Sequence, residues 1–178
     1  MNNISRFALL ATVAMPLPTF AAPASDPLEK PVSVLALAGY APLAGEGIAI
    51  TLSDRSLPAS KNFSSVLPGL VHDFDVLTLV NDLRFAGALG ISVGGVRLTN
   101  QSSIICTGPR ILVDKKPIAI PVRIEAVGNA GLMKAHLEVK GGVVDNFKNA
   151  GPRVQISIAN KLQLGAASLP SKVGRTSN

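Results

Sequence analysis

The chain has no tryptophan, one tyrosine and six phenylalanines, so aromatics are only 4% of its 178 residues. Single-stranded nucleic acids and sugar rings are gripped by stacking on aromatic faces, and that platform is missing here. Charged residues are also scarce, at 16%. Lys and Arg outnumber Asp and Glu by 17 to 11, giving +6. The basic residues are scattered, and the one adjacent pair is Lys115-Lys116. A nucleic-acid binder clusters its charge, so none is expected as a partner. Diffuse positive charge fits peripheral attraction to an anionic surface instead, such as lipid headgroups or wall polymer.

Cysteine is nearly absent as well. The lone Cys106 excludes an internal disulfide and a cysteine-rich metal site. As a nucleophile it would need a base, and only His72 and His136 exist. No phosphate-loop string and no G-x-S-x-G elbow occurs. The H-D-F-D string at 72–75 reads as helix capping rather than as a metal site. Glu125 and Glu138 are available acids that nothing orients as a hydrolytic pair. No cofactor, metal or catalytic set is expected, and the chain reads as non-enzymatic. A cryptic hydrolase is the least favoured alternative.

Hydrophobic residues make up 47% of the chain. With so few aromatics, the core is expected from Val, Ile, Leu and Ala, a usage that suits strands and close helix packing. Residues 1–24 carry Arg6, a short apolar run and small-x-small patterns before Pro23, which reads as a secretory signal peptide. An uncleaved N-terminal membrane anchor is the alternative. Residues 25–33 read as a linker and 165–178 as a flexible basic tail, leaving 34–164 as the domain.

Residues 47–53 alternate, with Ile48, Ile50 and Leu52 on one face. Residues 54–72 read as a long loop. Asp73 or Asp75 is expected to cap a helix whose stripe is Val76, Leu79, Val80 and Leu83, ended by Gly87. Gly94-Gly95 follows a short strand and precedes Val96, the order of a hairpin turn. A phosphate loop needs the opposite polarity, glycines leading into a helix. Short strands flank Thr107-Gly108-Pro109. Residues 117–127 alternate, with Ile118, Ile120, Val122, Ile124 and Ala126 on one face and Pro121 marking an edge or bulge. Asn129 is expected to cap a second helix with Leu132, Met133 and Leu137 as its apolar side, and 143–151 reads as a further helical turn. Val154, Ile156 and Ile158 mark a last one-sided strand. The reduced order is that of an α+β, ferredoxin-like α/β plait: a split β-α-β sandwich. It has an antiparallel sheet with both helices on one face, plus extra short strands.

Several blocks in this order and spacing carry a resemblance: LAGYAPLAGEGIAITLSD, DVLTLVNDLRFAGALGISVGGVRLT, SIICTGPRILVD and IEAVGN. They resemble the bacterial DUF881 family, which includes YlxW-like proteins found near division and cell-wall genes. The resemblance runs from about Val34 to Leu164. It implies an α/β plait, with no activity established. Its recurrent positions fall on Gly45, Gly47, Asn81, Gly87, Arg97, Thr99, Gly108 and Gly128. Departures are the missing coiled coil, Gly94 for the usual Asn, Asn129 for a common acid, and Asp114-Lys115-Lys116 for an N-G turn.

These readings together imply an exported protein, periplasmic or extracellular, acting as an interaction or scaffold domain. Its partner would be an envelope or division protein, or a wall component. A small-ligand sensor using the sheet's open face and the 54–72 loop is the alternative. A homodimer through an exposed sheet edge is compatible with the plan. Arg97, Asn81 and Thr99 are the candidate binding residues. Arg97 could grip a carboxylate or phosphate, or anchor a loop carbonyl or Asp82. Gly45, Gly47, Gly87, Gly94, Gly95, Gly108 and Gly128 are read as structural.

Overall fold

The computed structural model describes residues 32–55 and 69–168. The segments read as signal peptide, most of the linker and the body of the 54–72 loop lie outside the described residues, as does the tail beyond 168. The described chain is a mixed α+β fold with two antiparallel sheets and four helices.

The central strand is β1 (Leu43–Ser53), paired with β7 (Val122–Val127) on one side and β8 (Arg153–Leu164) on the other. Outside β7 lie β2 (Gly90–Val93) and β3 (Val96–Arg97), giving the order β3-β2-β7-β1-β8. Because side chains alternate, each strand sends one set to each face. Ile48, Ile50, Leu52, Val122, Ile124 and Ala126 are wholly buried on the first face. Helices α2 (Asp73–Phe85) and α3 (Ala130–Leu137) cover it, with α4 (Val143–Ala150) beside them.

The helix α2 stripe falls as its 3.6-residue period requires: Val76, Leu79, Val80 and Leu83 are 0–1% exposed. Of the two acids expected to cap it, Asp75 takes part. The N-cap residue is His72, and Asp75 in the first turn accepts the His72 N–H at 2.8 Å. Asp73 is engaged elsewhere, by the Cys106 N–H at 2.8 Å. Helix α3 is capped by Asn129, which accepts the Leu132 N–H at 2.9 Å. Met133 and Leu137 are buried but Leu132 is 63% exposed, since a helix this short seats only one narrow stripe.

Residues 117–127 do not form one strand. They split into β6 (Lys116–Ile118) and β7, which belong to different sheets. Pro121 has no N–H to give a ladder, and the break falls there. The second sheet has the order β4-β5-β6, with β4 (Ile104–Cys106) and β5 (Ile111–Val113). It joins the same core through Ile104, Ile111 and Val113. On β8, Val154 and Ile156 pack against that core, but Ile158 is 55% exposed at the sheet's edge.

The opposite face of the main sheet is covered at one end only. There Leu43, Val127, Leu162 and Leu164 gather with Ala36 of α1 (Val34–Leu37) in a small second cluster. The register of β1 against β8 shifts between Gly45 and Gly47. Gly47 is required at that irregularity, because a Cβ would run into the Ala126 carbonyl oxygen. The first residues of the segment read as a tail continue past β8 to meet α1, where the Ala167 N–H donates to the Gly39 carbonyl at 2.8 Å.

Candidate functional site

Arg97 reaches its place through the tightest turn in the main sheet. Gly94 and Gly95 have φ of 56° and 79°, both left-handed, as a two-residue hairpin of primed type requires. The turn sets β3 in register with β2, so that Arg97 stands opposite Ser92. Arg97, Ser92, Glu125, Ala49 and Ser157 then form one row across the sheet's open face. The floor under the guanidinium is Gly90, where a Cβ would come within 2.5 Å of Nη2.

Arg97 is 3% exposed. Nη2 donates to the Ala36 carbonyl at 2.6 Å, and Nη1 to the Gly165 carbonyl at 3.4 Å. Nε is buried with no hydrogen-bond partner. Burial pulls the Arg97 pKa below its ordinary value. Glu125 shares its row, but the Arg123 guanidinium holds that carboxylate at 2.9 Å. Among the described residues no carboxylate lies within ion-pair distance of Arg97. Arg97 is thus anchored by a helix carbonyl, Ala36 of α1, and by one in the segment after β8, Gly165, and not by Asp82.

Beside Arg97 lies a cavity of ≈ 260 Å³, walled by Tyr40, Thr99, Gln101, Asp114 and Lys116, with 166–168 of the C-terminal segment. Asp114 is engaged, one oxygen by the Ser102 hydroxyl at 2.7 Å and the other by the Ser103 N–H at 2.8 Å. Thr99 is held in the same loop, where its Oγ1 accepts the Gln101 N–H at 3.2 Å. Thr99 also walls a second hollow of ≈ 510 Å³ between α1, the end of α2 and β2, rimmed by Leu37, Arg84 and Leu89. The structure therefore brings Arg97 and Thr99 together. Asn81 is exposed on α2 and lines neither hollow.

Sequence reasoning missed Tyr40, Lys116 and residues 166–168 at this site. Only the Lys115-Lys116 pair gave a signal, and nothing in it tells that the β5–β6 turn comes to the hairpin's side. That turn is unusual in its own right, since Asp114 and Lys115 take φ of 48° and 66°.

A third hollow of ≈ 200 Å³ is lined by Asp54, His72, Cys106 and Arg110 among others. His72 Nδ1 is 2.9 Å from the Leu70 carbonyl, and its ring stacks on Phe74. Burial pushes the Cys106 thiol up, away from the reactive thiolate. Among the described residues no group of three or more His, Cys, Asp or Glu is gathered for a metal. No helix of the described residues is long and apolar enough to cross a membrane. The glycines read as structural show what their positions demand at Gly87, Gly94, Gly95, Gly108 and Gly128, all with positive φ. A Cβ at Gly45 would meet Val127 at 2.9 Å.

The fold has a solved counterpart. An uncharacterized conserved protein from Mycobacterium tuberculosis superposes with a TM-score of 0.65 at 23% identity, over 81% of this chain and 94% of that one. UPF0749 protein YlxW of Bacillus subtilis is 35% identical over 104 residues, 58% of this chain and 44% of that protein. UPF0749 protein Rv1823 of Mycobacterium tuberculosis is 35% identical over 120 residues, 63% of this chain and 38% of that protein. The chain thus spans less than half the length of these curated relatives. The family model described as "Bacterial protein of unknown function (DUF881)" matches residues 33–174, and the chain belongs to that family.

Proposed function

We propose that this chain is a non-enzymatic domain of the cell envelope that works by binding an envelope or division protein, or a wall component. The observation that carries the reading is the hollow between α1, α2 and β2. Its rim presents Leu37 at 49% and Leu89 at 44% exposure, with Arg84 between apolar walls. Exposed apolar side chains rimmed by polar ones are the composition of a recognition patch. Phe85, 82% exposed at the end of the same helix, adds to the apolar surface of that helix end. Export rests on the N-terminal sequence pattern, and the basic balance favours an anionic envelope surface for peripheral association.

A plait of the ferredoxin-like type belongs to the same proposal. The order β2-β7-β1-β8, with α2 between β1 and β2 and α3 between β7 and β8, supports it. The test is affinity capture from envelope fractions with the wild type and with Leu37→Glu and Leu89→Glu. The expected result is a defined envelope partner that both variants lose. Equal recovery by both variants removes the patch from the account. Fractionation showing the chain only inside the cytoplasm removes the envelope reading.

A second reading, a small-ligand sensor, is favoured by the cavity beside Arg97, on the sheet's open face. The other part of that reading, the 54–72 loop, is described only at its ends. There the Val71 N–H donates to Asp54 at 2.8 Å, and the Arg55 N–H to the Gly69 carbonyl at 2.7 Å.

A further inference from the structure

Taking a guanidinium out of water without a counter-ion is unfavourable. Among the described residues Arg97 has no counter-ion. Its hydrogen-bond partners are two carbonyls that carry no net charge, and its Nε has none. The cavity at its side is otherwise lined by Lys116, Tyr40 and Gln101, whose side chains can donate, and by Thr99, whose hydroxyl is engaged with Ser102 and Gln101. The one acid on the wall, Asp114, already has both oxygens bonded to the 102–103 turn. At ≈ 260 Å³ the space lies below the range of roughly 300–1,000 Å³ typical of drug-sized ligands, so its occupant is compact. Two cations and several neutral donors around one small space match a group with several anionic oxygens better than a single carboxylate.

We propose that this cavity binds a compact oxyanion of the phosphate class, held by the Arg97 guanidinium and the Lys116 ammonium. The anion supplies the charge that Arg97 lacks and bridges β3 and β6 beside the segment 165–168. The inference does not depend on export or on the protein partner proposed above. Both a free phosphate and the phosphate of a lipid headgroup present the required chemistry.

The test uses the full chain at constant ionic strength, with chloride replaced stepwise by inorganic phosphate. Ligand that binds only the folded state raises Tm in a saturable way. The wild type is expected to show such a rise. Lys116→Gln, at an exposed position on β6, is expected to need about tenfold more phosphate for the same shift, since it loses one charged hydrogen bond. Arg97→Met is expected to lose the shift. If Arg97→Met does not fold, Lys116→Gln decides alone. The absence of a phosphate-specific rise, or a Lys116→Gln titration that overlies the wild type, overturns the proposal. A flotation arm with phosphatidylglycerol and phosphatidylcholine vesicles separates the sources. Flotation with the first only, competed by phosphate and lost in Lys116→Gln, supports a headgroup ligand. A saturable shift without flotation supports a soluble phosphate.

Discussion

The two faces of the main sheet are made by the same five strands and are held together by different physics. On the helix-covered face Ile48, Ile50, Leu52, Ile124 and Val93 are fully buried among α2 and α3 side chains. Their contribution is non-directional and scales with apolar area removed from water. On the other face the row Arg97–Ser92–Glu125–Ala49–Ser157 is polar at most positions, and what covers it is short: α1 and residues 165–168. Those two segments are joined to the sheet by a small apolar cluster, by the Ala167–Gly39 hydrogen bond and by one guanidinium. The first face is the cooperative core. The second is covered only by two short segments, and binding sites are commonly drawn from such sparsely packed parts of a structure.

The contrast is tested most strongly at Ile50, at the centre of β1 and wholly buried. Ile50→Ala removes buried methyl groups and leaves a cavity that the helices cannot fill. The expected loss is ~2–5 kcal/mol of global stability, read from urea unfolding. Arg97→Met is the matching change on the other face. It keeps a long apolar stem but takes the guanidinium away from the Ala36 and Gly165 carbonyls, of which Ala36 keeps the Gly39 N–H at 3.1 Å. The expected global loss is smaller, under ~2 kcal/mol, because the Ala36 carbonyl keeps a backbone donor and the substitution also relieves the burial of an unpaired charge. The local effect is larger. Hydrogen exchange at Ala167 is expected to speed up by at least tenfold while the β1 amides hold their protection. Equal acceleration in both places would mean that the two faces unfold as one unit.

How much of this contrast was legible in the sequence follows from how far apart the interacting residues lie. The core face was readable because its signal is local: Ile48, Ile50 and Leu52 alternate, and the Val76–Leu83 stripe has helical spacing. The hairpin at Gly94-Gly95 was readable for the same reason. Three misplacements share a cause. Leu132 and Ile158 fit their periods but sit where the covering layer ends, and periodicity carries no information about where a layer stops. The 117–127 alternation continues through Pro121 although the chain changes sheets there. Arg97 could be singled out as a residue seeking a partner. Its carbonyl partners lie 61 and 68 positions away, beyond any local pattern. The wall of its cavity needed the second sheet to be placed first.

The second sheet allows a sharper and smaller test. Lys115 holds φ of 66° in the β5–β6 turn, a region where a Cβ is crowded by the carbonyl that follows. Gly95 holds the equivalent place in the β2–β3 turn with φ of 79° and has no such crowding. Lys115→Gly is expected to stabilise the chain by up to ~1 kcal/mol, the relief of strain being partly offset by the greater freedom of glycine in the unfolded chain. Gly95→Lys in the other hairpin is expected to move stability the opposite way. Two changes of the same sign in denaturant midpoint would show that the turns are not equivalent.

The smallest expected effect separates two acids at the start of α2. Burial pushes the Asp75 carboxyl up, offset only in part by the hydrogen bond from the His72 N–H. Burial also pushes Asp73 up, but hydrogen bonds from Cys106 and the Phe74 N–H outweigh it and hold that carboxyl below its ordinary value. The signs therefore oppose. Folded Asp75 binds its proton more tightly than the unfolded chain does. Its contribution falls as pH rises from the ordinary value of 3.8 through the raised folded one. Folded Asp73 binds its proton less tightly, so its contribution is lost as pH drops from 3.8 through the lowered folded value. Asp75→Asn keeps an oxygen to accept the His72 N–H and removes the titration. Denaturant unfolding between about pH 3 and pH 7 is expected to show the variant without the wild type's decline on the upper side and with the acid-side loss unchanged. A wild-type decline above 3.8 that persists in Asp75→Asn would assign it to another group and leave the buried carboxylate of α2 without a part in the pH response.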